Sequence, residues 1–342
     1  MAFITLDRKA FFHNLDLVSA QAGGRDKVAL VLKDNAYGHG LLPTARMAAD
    51  FGIARAVVRT VAEAEAVAEF FPYILVLAEI PERVLPFRFT VNTPEDLAAF
   101  PAGSRIELKV DTGMHRNGIA PDGLEAAFAA AAERKLKLEG VFTHHRSADE
   151  LSSEYFWQRK RFEALRRTAR TLAQKYGFGP LRFHSANSAA LFRAARCGDD
   201  MVRIGIAAYG CLEMARTLPQ PELRPVLSLW GEQIASRTLH AGQRLGYGGT
   251  FEAAEETTVS TYDLGYADGL LRGASNRSFT APSGARLLGR VSMDNCSFDT
   301  AESPLCVFDD ARRYAAAAGT IPYEVLVALS EKIPRKVVND ED

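Results

Sequence analysis

The sequence predicts an α/β chain, a (β/α)8 barrel followed by a mainly β C-terminal domain. Three observations carry that expectation. Eight short apolar runs alternate with helical stretches between Val28 and Ile204, the rhythm of parallel βαβ units. From about Pro219 the texture changes to short alternating segments rich in Gly and Thr, with glycine turns between them. The length of 342 residues suits about two units at ~150 residues each. We place the division at 1–218 for the barrel and 219–342 for the β domain.

Taken in order, Asp7 reads as the N-cap of a helix that carries Phe11, Leu15 and Val18 at helical spacing and closes at Gly23-Gly24. The first barrel strand, from Val28, is a continuous apolar run that stops at Lys33. The other seven are Ala56–Val58, Ile74–Leu77, Phe89–Val91, Ile106–Val110, Leu138–Phe142, Leu181–Phe183 and Met201–Ile204. Helices are expected over Val61–Phe70, Pro94–Phe100, Leu124–Lys135 and Ser152–Tyr176. In the second unit, strands are expected over Leu227–Ile234, Thr257–Tyr262 and Arg286–Met293, with a closing helix near Tyr323–Glu331.

A net charge of −1, from 41 basic and 42 acidic residues spread along the chain, offers no basic stripe for nucleic acid and no patch for a membrane surface. Four cysteines without CxxC spacing make no disulfide framework, so a reduced compartment is expected. The first residues lack a basic stretch followed by an apolar core, and no apolar run approaches ~18 residues. A cytoplasmic protein acting on small molecules is the expectation.

Lys33 ends a buried strand and is followed by a polar, glycine-punctuated turn, which places it at the C-terminal mouth of the barrel. A desolvated lysine there can form an imine with a carbonyl compound; a lysine that ends a strand and points into water is the plainer alternative. Strand seven runs into His184-Ser185-Ala186-Asn187-Ser188 and strand eight into Arg203-Ile204-Gly205-Ile206. The loops after strands seven and eight are the usual phosphate cradle of this barrel, with Ser188 offering a hydroxyl and Gly205 and Ile206 backbone donors. Singly, Asn187-Ser188 reads as a helix cap and Gly205 as a turn glycine. Together with a strand-end lysine, they make the pair that pyridoxal phosphate requires, an anchor for the phosphate and an amine for the aldehyde.

The run Lys33-Asp34-Asn35-Ala36-Tyr37-Gly38-His39-Gly40 resembles the cofactor-lysine signature of the alanine racemase family. The likeness continues through Lys109-Val110-Asp111-Thr112-Gly113-Met114-His115-Arg116, Thr143-His144, His184 to Ser188 and Val202 to Ile206. It extends into the second unit at Gly246 to Thr250, Gly265-Tyr266-Ala267-Asp268-Gly269, Gly289 to Asp294 and Ile321 to Val325. The resemblance implies a TIM-type barrel with a C-terminal β domain, and a pyridoxal-phosphate racemase that makes D-alanine for peptidoglycan. It gives Lys33 and Tyr266 as the two bases, on opposite faces of the substrate Cα, because a racemase removes a proton from one side and returns it from the other. Tyr37, Ser188, Gly205, Ile206 and Tyr323 are implied around the phosphate, Asn187 among the cofactor-binding residues, and Arg203 at the pyridine nitrogen.

An acceptor-free guanidinium at that nitrogen weakens the ring as an electron sink. His144 is implied to pack by the ring and His184 to hold Arg203. The residue-level alternative is a metal site of His144, His145 and His184, which no carboxylate or cysteine completes. Arg116 and Met293 are implied at the substrate carboxylate, with Asp294 beside Met293 and Lys109, often a carbamate in this family, beside Arg116. A homodimer with shared sites follows from the same likeness. Three features depart from the family: a shortened stretch between Asp299 and Tyr323, Leu270-Leu271-Arg272 after Gly269, and Asp34 where alanine is frequent. They bear on substrate width, leaving serine racemisation as a reading beside alanine. A related decarboxylase and a non-catalytic cofactor carrier are the more distant ones.

Overall fold

A computed structural model of the chain describes residues 1–339. After β1 (Phe3–Asp7), the eight parallel strands of the barrel follow: β2 (Val28–Val31), β3 (Arg55–Val58), β4 (Tyr73–Val76), β5 (Arg88–Val91), β6 (Arg105–Lys109), β7 (Lys137–Phe142), β8 (Arg182–His184) and β9 (Val202–Ile204). They pair in the order β8-β7-β6-β5-β4-β3-β2-β9. Single backbone bonds, Asp200 to the Phe183 carbonyl and Arg203 to the Ala186 carbonyl, both 2.9 Å, bridge the seam between β8 and β9. All eight expected strands are present, so the fold is the barrel that their rhythm predicts.

The continuous apolar runs have the physical cause expected of strands buried on both faces. Val28 and Leu30, Ala56 and Val58, Ile74 and Val76 pack outward on the surrounding helices. Ala29 and Val31, Val57, Tyr73 and Leu75, Phe142 and Met201 fill the barrel interior. The same alternation turns Lys33 toward the interior at the end of β2. The helix Arg8–Ala22 is capped by Asp7, whose side chain accepts from the Ala10 N–H at 2.8 Å, and closes on Gly23 in the left-handed conformation. Two helices are shorter than their periodicity suggests, Val61–Ala66 and Asp96–Ala99.

The C-terminal part is mainly β. One four-stranded sheet contains β1 together with Leu227–Gly231, Leu305–Phe308 and Arg335–Val338; a second contains Gln233–Leu239, Thr257–Tyr262, Leu287–Leu288 and Cys296–Phe298. The division at 218/219 therefore remains a proposal about the order of the chain, since residues 3–7 reach across to the second unit's sheet. Three local expectations are corrected. Leu227–Ile234 breaks into two strands at Glu232, and Arg286–Met293 is extended only at Leu287–Leu288, where Gly289 takes φ +65 and turns the chain away. The final helix runs Pro322–Ala328, and an alanine-rich helix Ala311–Ala318, capped by Asp310, precedes it.

That final helix braces the lysine turn. Gly38 has φ +76, and a Cβ there would lie 1.9 Å from the Leu326 carbonyl oxygen. The Arg335 guanidinium donates to the Gly38 carbonyl at 3.0 Å. Gly38→Ala is therefore expected to cost about 3 kcal/mol, combining left-handed strain with overpacking. Urea denaturation measures it, and an unchanged midpoint would contradict the close approach.

Candidate active site

The candidate residues meet at the C-terminal ends of the barrel strands. Lys33 follows β2, Lys109 ends β6, Thr143 and His144 follow β7, His184 ends β8, Arg203 lies in β9, and Gly205 and Ile206 follow it. Beyond Lys33 the chain makes one left-handed turn. Asp34, Asn35, Ala36 and Tyr37 have φ of 55, 54, 53 and 52. Such a turn costs about 1–2 kcal/mol per L-residue, least for Asp and Asn. It is held by Ala36 N–H to the Leu32 carbonyl at 2.8 Å, Leu41 N–H to Asn35 Oδ1 at 2.7 Å and Asp34 N–H to Glu63 Oε1 at 2.7 Å. Strain that neighbours over-determine is typical of a working site. Here it brings the Lys33 amine and the Tyr37 ring to one mouth, with Nζ 6.0 Å from the ring centroid.

Lys33 Nζ lies 3.1 Å from Asp34 Oδ2, and Arg59 Nη1 lies 3.2 Å from Asp34 Oδ1. Burial works against the Asp34 carboxylate, but the two cations outweigh it and hold its pKa below the usual value. Asp34 and Arg59 thus form a pair beside the lysine, and sequence reading singled out only the first as unusual.

The other side of the mouth is shaped for an anion. A Cβ on Gly205 would lie 2.7 Å from the Tyr37 hydroxyl, so only glycine admits that ring. The N–H groups of Gly205 and Ala207 converge on Ser188 Oγ at 3.3 and 3.2 Å. Asn187 caps the helix Ser188–Arg193 by accepting from the Ala190 N–H at 2.9 Å. Tyr323 comes from the second domain to within 5.9 Å of the Tyr37 ring. Burial raises the pKa of both phenols, which stay neutral donors. The Ser188 hydroxyl, which accepts the Gly205 and Ala207 N–H groups and keeps its own O–H to give, and two phenols are a donor set that fits a phosphate.

Arg203 is held by the carbonyls of Thr143 at 2.7 Å and Ser185 at 3.2 Å and by the His184 ring, which leaves its Nε–H without an acceptor among the described residues. Burial pushes its pKa down to about 10, so it stays cationic at neutral pH. Both nitrogens of His184 are engaged, one by Arg203 and one by Glu107, which removes it from the alternative histidine metal site. Burial first, then the charges of Arg203 and Lys109, push His144 down to about 3, so it is a neutral ring at this wall.

Lys109 bonds Asn117 rather than Arg116, and Asn117 in turn donates to Asn92 at 2.7 Å. Burial, then Arg116 and Arg203, bring Lys109 down to about 8. An unfolded lysine titrates near ~10.4. Between those values the unfolded chain holds more protons, so the unmodified Lys109 makes the fold gain stability as pH rises through that window.

Tyr266 and Met293 lie together in the C-terminal part of the chain. Tyr266 N–H donates to the Ser292 carbonyl at 3.0 Å and Ala267 N–H to the Met293 carbonyl at 2.9 Å, and a Cβ on Gly265 would sit 2.1 Å from that oxygen. Asp294 is exposed beside them. Tyr266 and Met293 are 44 % and 55 % exposed, and no hydrogen bond, ion pair or ring contact joins either to Lys33 among the described residues. Glu107 escaped the sequence reading. The signal was the inward Arg105-Glu107-Lys109 stripe of β6, charged where a barrel interior is ordinarily apolar.

The chain matches the alanine racemase N-terminal domain family over residues 6–213 and the alanine racemase C-terminal domain family over 226–337. It is 48 % identical to the alanine racemase of a Nitratiruptor species, over 98 % of this chain and 99 % of that one. It is 44 % identical to that of Campylobacter curvus, over 99 % and 100 %. Among solved structures, alanine racemase from E. faecalis superposes with a TM-score of 0.85 at 30 % identity, covering 98 % of each chain. The Bacillus anthracis alanine racemase with bound L-Ala-P superposes with a TM-score of 0.86 at 28 % identity, covering all of this chain and 96 % of that one.

Proposed function

The chain belongs to the alanine racemase family, and from that membership we propose that it interconverts L-alanine and D-alanine with pyridoxal phosphate, supplying D-alanine for peptidoglycan from the cytoplasm. The observation that carries the cofactor assignment is the pairing of the Lys33 amine with the Gly205–Tyr37 cradle across one barrel mouth. Among the described residues no helix is long and apolar enough to cross a membrane.

When bound, pyridoxal phosphate withdraws electrons from the Cα–H bond of the substrate and so acidifies it. Lys33 is the amine that would hold the aldehyde, and its free amine would carry the proton on one face of Cα. Tyr266 moves it on the other. Tyr37, Tyr323, Ser188, Gly205 and Ile206 would hold the phosphate, with Asn187 capping the helix behind it; His144 would pack by the ring, and Arg203 would offer the pyridine nitrogen a cation with no lone pair. Arg116 and Met293 orient the substrate carboxylate, with Asp294 supporting Met293.

Tyr266 and Met293 are exposed on a single chain, whereas proton transfer at Cα needs water excluded. Their exposure supports a head-to-tail homodimer in which they close the partner's mouth. Lys109, its pKa brought near neutrality beside Arg116, suits attack on carbon dioxide, and a carbamate there would turn a repelled cation into a paired anion. Labelled bicarbonate is expected to give a carbamate carbon signal that Lys109→Arg lacks. No signal at saturating bicarbonate would leave the amine and the pH slope described above.

The reaction is tested by circular dichroism of L-alanine and, separately, D-alanine with the cofactor-loaded protein. Both signals are expected to decay to zero. Signals that persist with alanine but decay with serine would move the substrate, and persistence with both would remove the racemase assignment.

A further inference from the structure

The barrel interior contains a fully buried carboxylate. Glu107 is 0 % exposed, and a buried charge is costly unless its oxygens are fully bonded. They are. Oε1 accepts from the Tyr73 hydroxyl at 2.7 Å and from Arg182 at 3.0 Å, and Oε2 lies 2.6 Å from His184 Nε2.

The barrel is locally built to admit this side chain. The β6–β7 register slips at the Ile106/Glu107 step and sets Glu107 opposite Gly140, where a Cβ would lie 2.8 Å from Glu107 Cδ. Any other residue at 140 would collide with the carboxylate.

The protonation of His184 then follows from bonding capacity alone. Arg203 meets the ring at Nδ1, and a guanidinium has donors but no acceptor, so Nδ1 carries the lone pair. The proton therefore sits on Nε2 and is donated to Glu107. Phe142 stacks on His184 with centroids 4.6 Å apart and lies under the Arg203 guanidinium at 4.9 Å, which holds both groups in plane.

We infer that Glu107 is a positioning residue for the racemase reaction: it selects the Nε2–H tautomer of His184, and that ring in turn aims the Arg203 guanidinium at the pyridine nitrogen. The part that concerns the pyridine rests on the cofactor assignment proposed above; the part that concerns His184 does not. In Glu107→Gln the amide must offer either its oxygen or its NH2 to the ring. The NH2 would draw out the Nε2 lone pair, put a proton on Nδ1 and break the bond to Arg203.

Imidazole-15N NMR of the cofactor-free protein, with His184→Gln to assign the signal, is expected to show one neutral ring with Nε2 protonated. Glu107→Gln is expected to give both tautomers. In the loaded enzyme the same variant should raise pyruvate release per racemised alanine by about tenfold, the scale of one charged hydrogen bond. An imidazolium or an Nδ1–H tautomer for His184 in the native protein would overturn the inference, whatever Glu107→Gln does. So would a Glu107→Gln protein with the native spectrum and the native pyruvate ratio. A protein with the expected spectrum that neither binds the cofactor nor racemises alanine would instead remove the functional assignment.

Discussion

Replacing Lys33 by alanine is expected to abolish covalent attachment of pyridoxal phosphate and to lower racemisation in both directions by at least about 10⁴-fold. Two losses combine. In the proposed mechanism the amine that would hold the aldehyde disappears, and so does the base proposed for one face of Cα, which alone is worth about 10²–10⁴-fold. The strained turn does not depend on the side chain, since its bonds run through Leu32, Asn35, Ala36, Leu41 and Glu63. The variant should therefore fold, and a native melting curve would exclude collapse as the cause. Borohydride reduction followed by mass analysis reads the attachment directly. A reduced adduct at another lysine in the native protein would show that Lys33 is not the anchor.

Tyr266→Phe is expected to cost about 10²–10⁴-fold, the range for one positioned proton-transfer group, with KM changed little. The phenol is exposed on its own chain and its backbone is locked to Ser292 and Met293. Removing one oxygen there should leave stability within ~0.5 kcal/mol. The larger consequence concerns the assembly. If Tyr266 serves the partner's mouth, mixing Lys33→Ala and Tyr266→Phe subunits regains activity, because half the mixed dimers' sites carry both native groups. Confirmed subunit exchange without any recovery would place both bases in one chain and sink the shared site.

How much of this was legible beforehand differs from residue to residue. The strands were legible because a parallel barrel buries both faces, so each strand is a continuous apolar run. The turn after Lys33 was legible as polar and glycine-punctuated, but its left-handed path through Ala36 and Tyr37 was not. No local preference favours that conformation for those residues, and only the surrounding bonds impose it. The strand expected over Arg286–Met293 failed for a related reason, a glycine whose positive φ ends the extended chain early.

Local chemistry in the sequence determined most element types and marked the candidate lysine and the candidate anion-binding loops. A lysine ending a buried strand and an Asn-Ser followed by Arg-Ile-Gly-Ile carry their meaning in neighbouring residues. Tertiary structure alone decided the partners. Glu107, Tyr73, Arg182, His184 and Arg203 come from β4, β6, β8 and β9, and nothing in their spacing along the chain says that Tyr73, Arg182 and His184 share one carboxylate while Arg203 meets the far side of the His184 ring. The reason is physical: strand periodicity tells which way a side chain faces, while barrel curvature and register determine what it meets there.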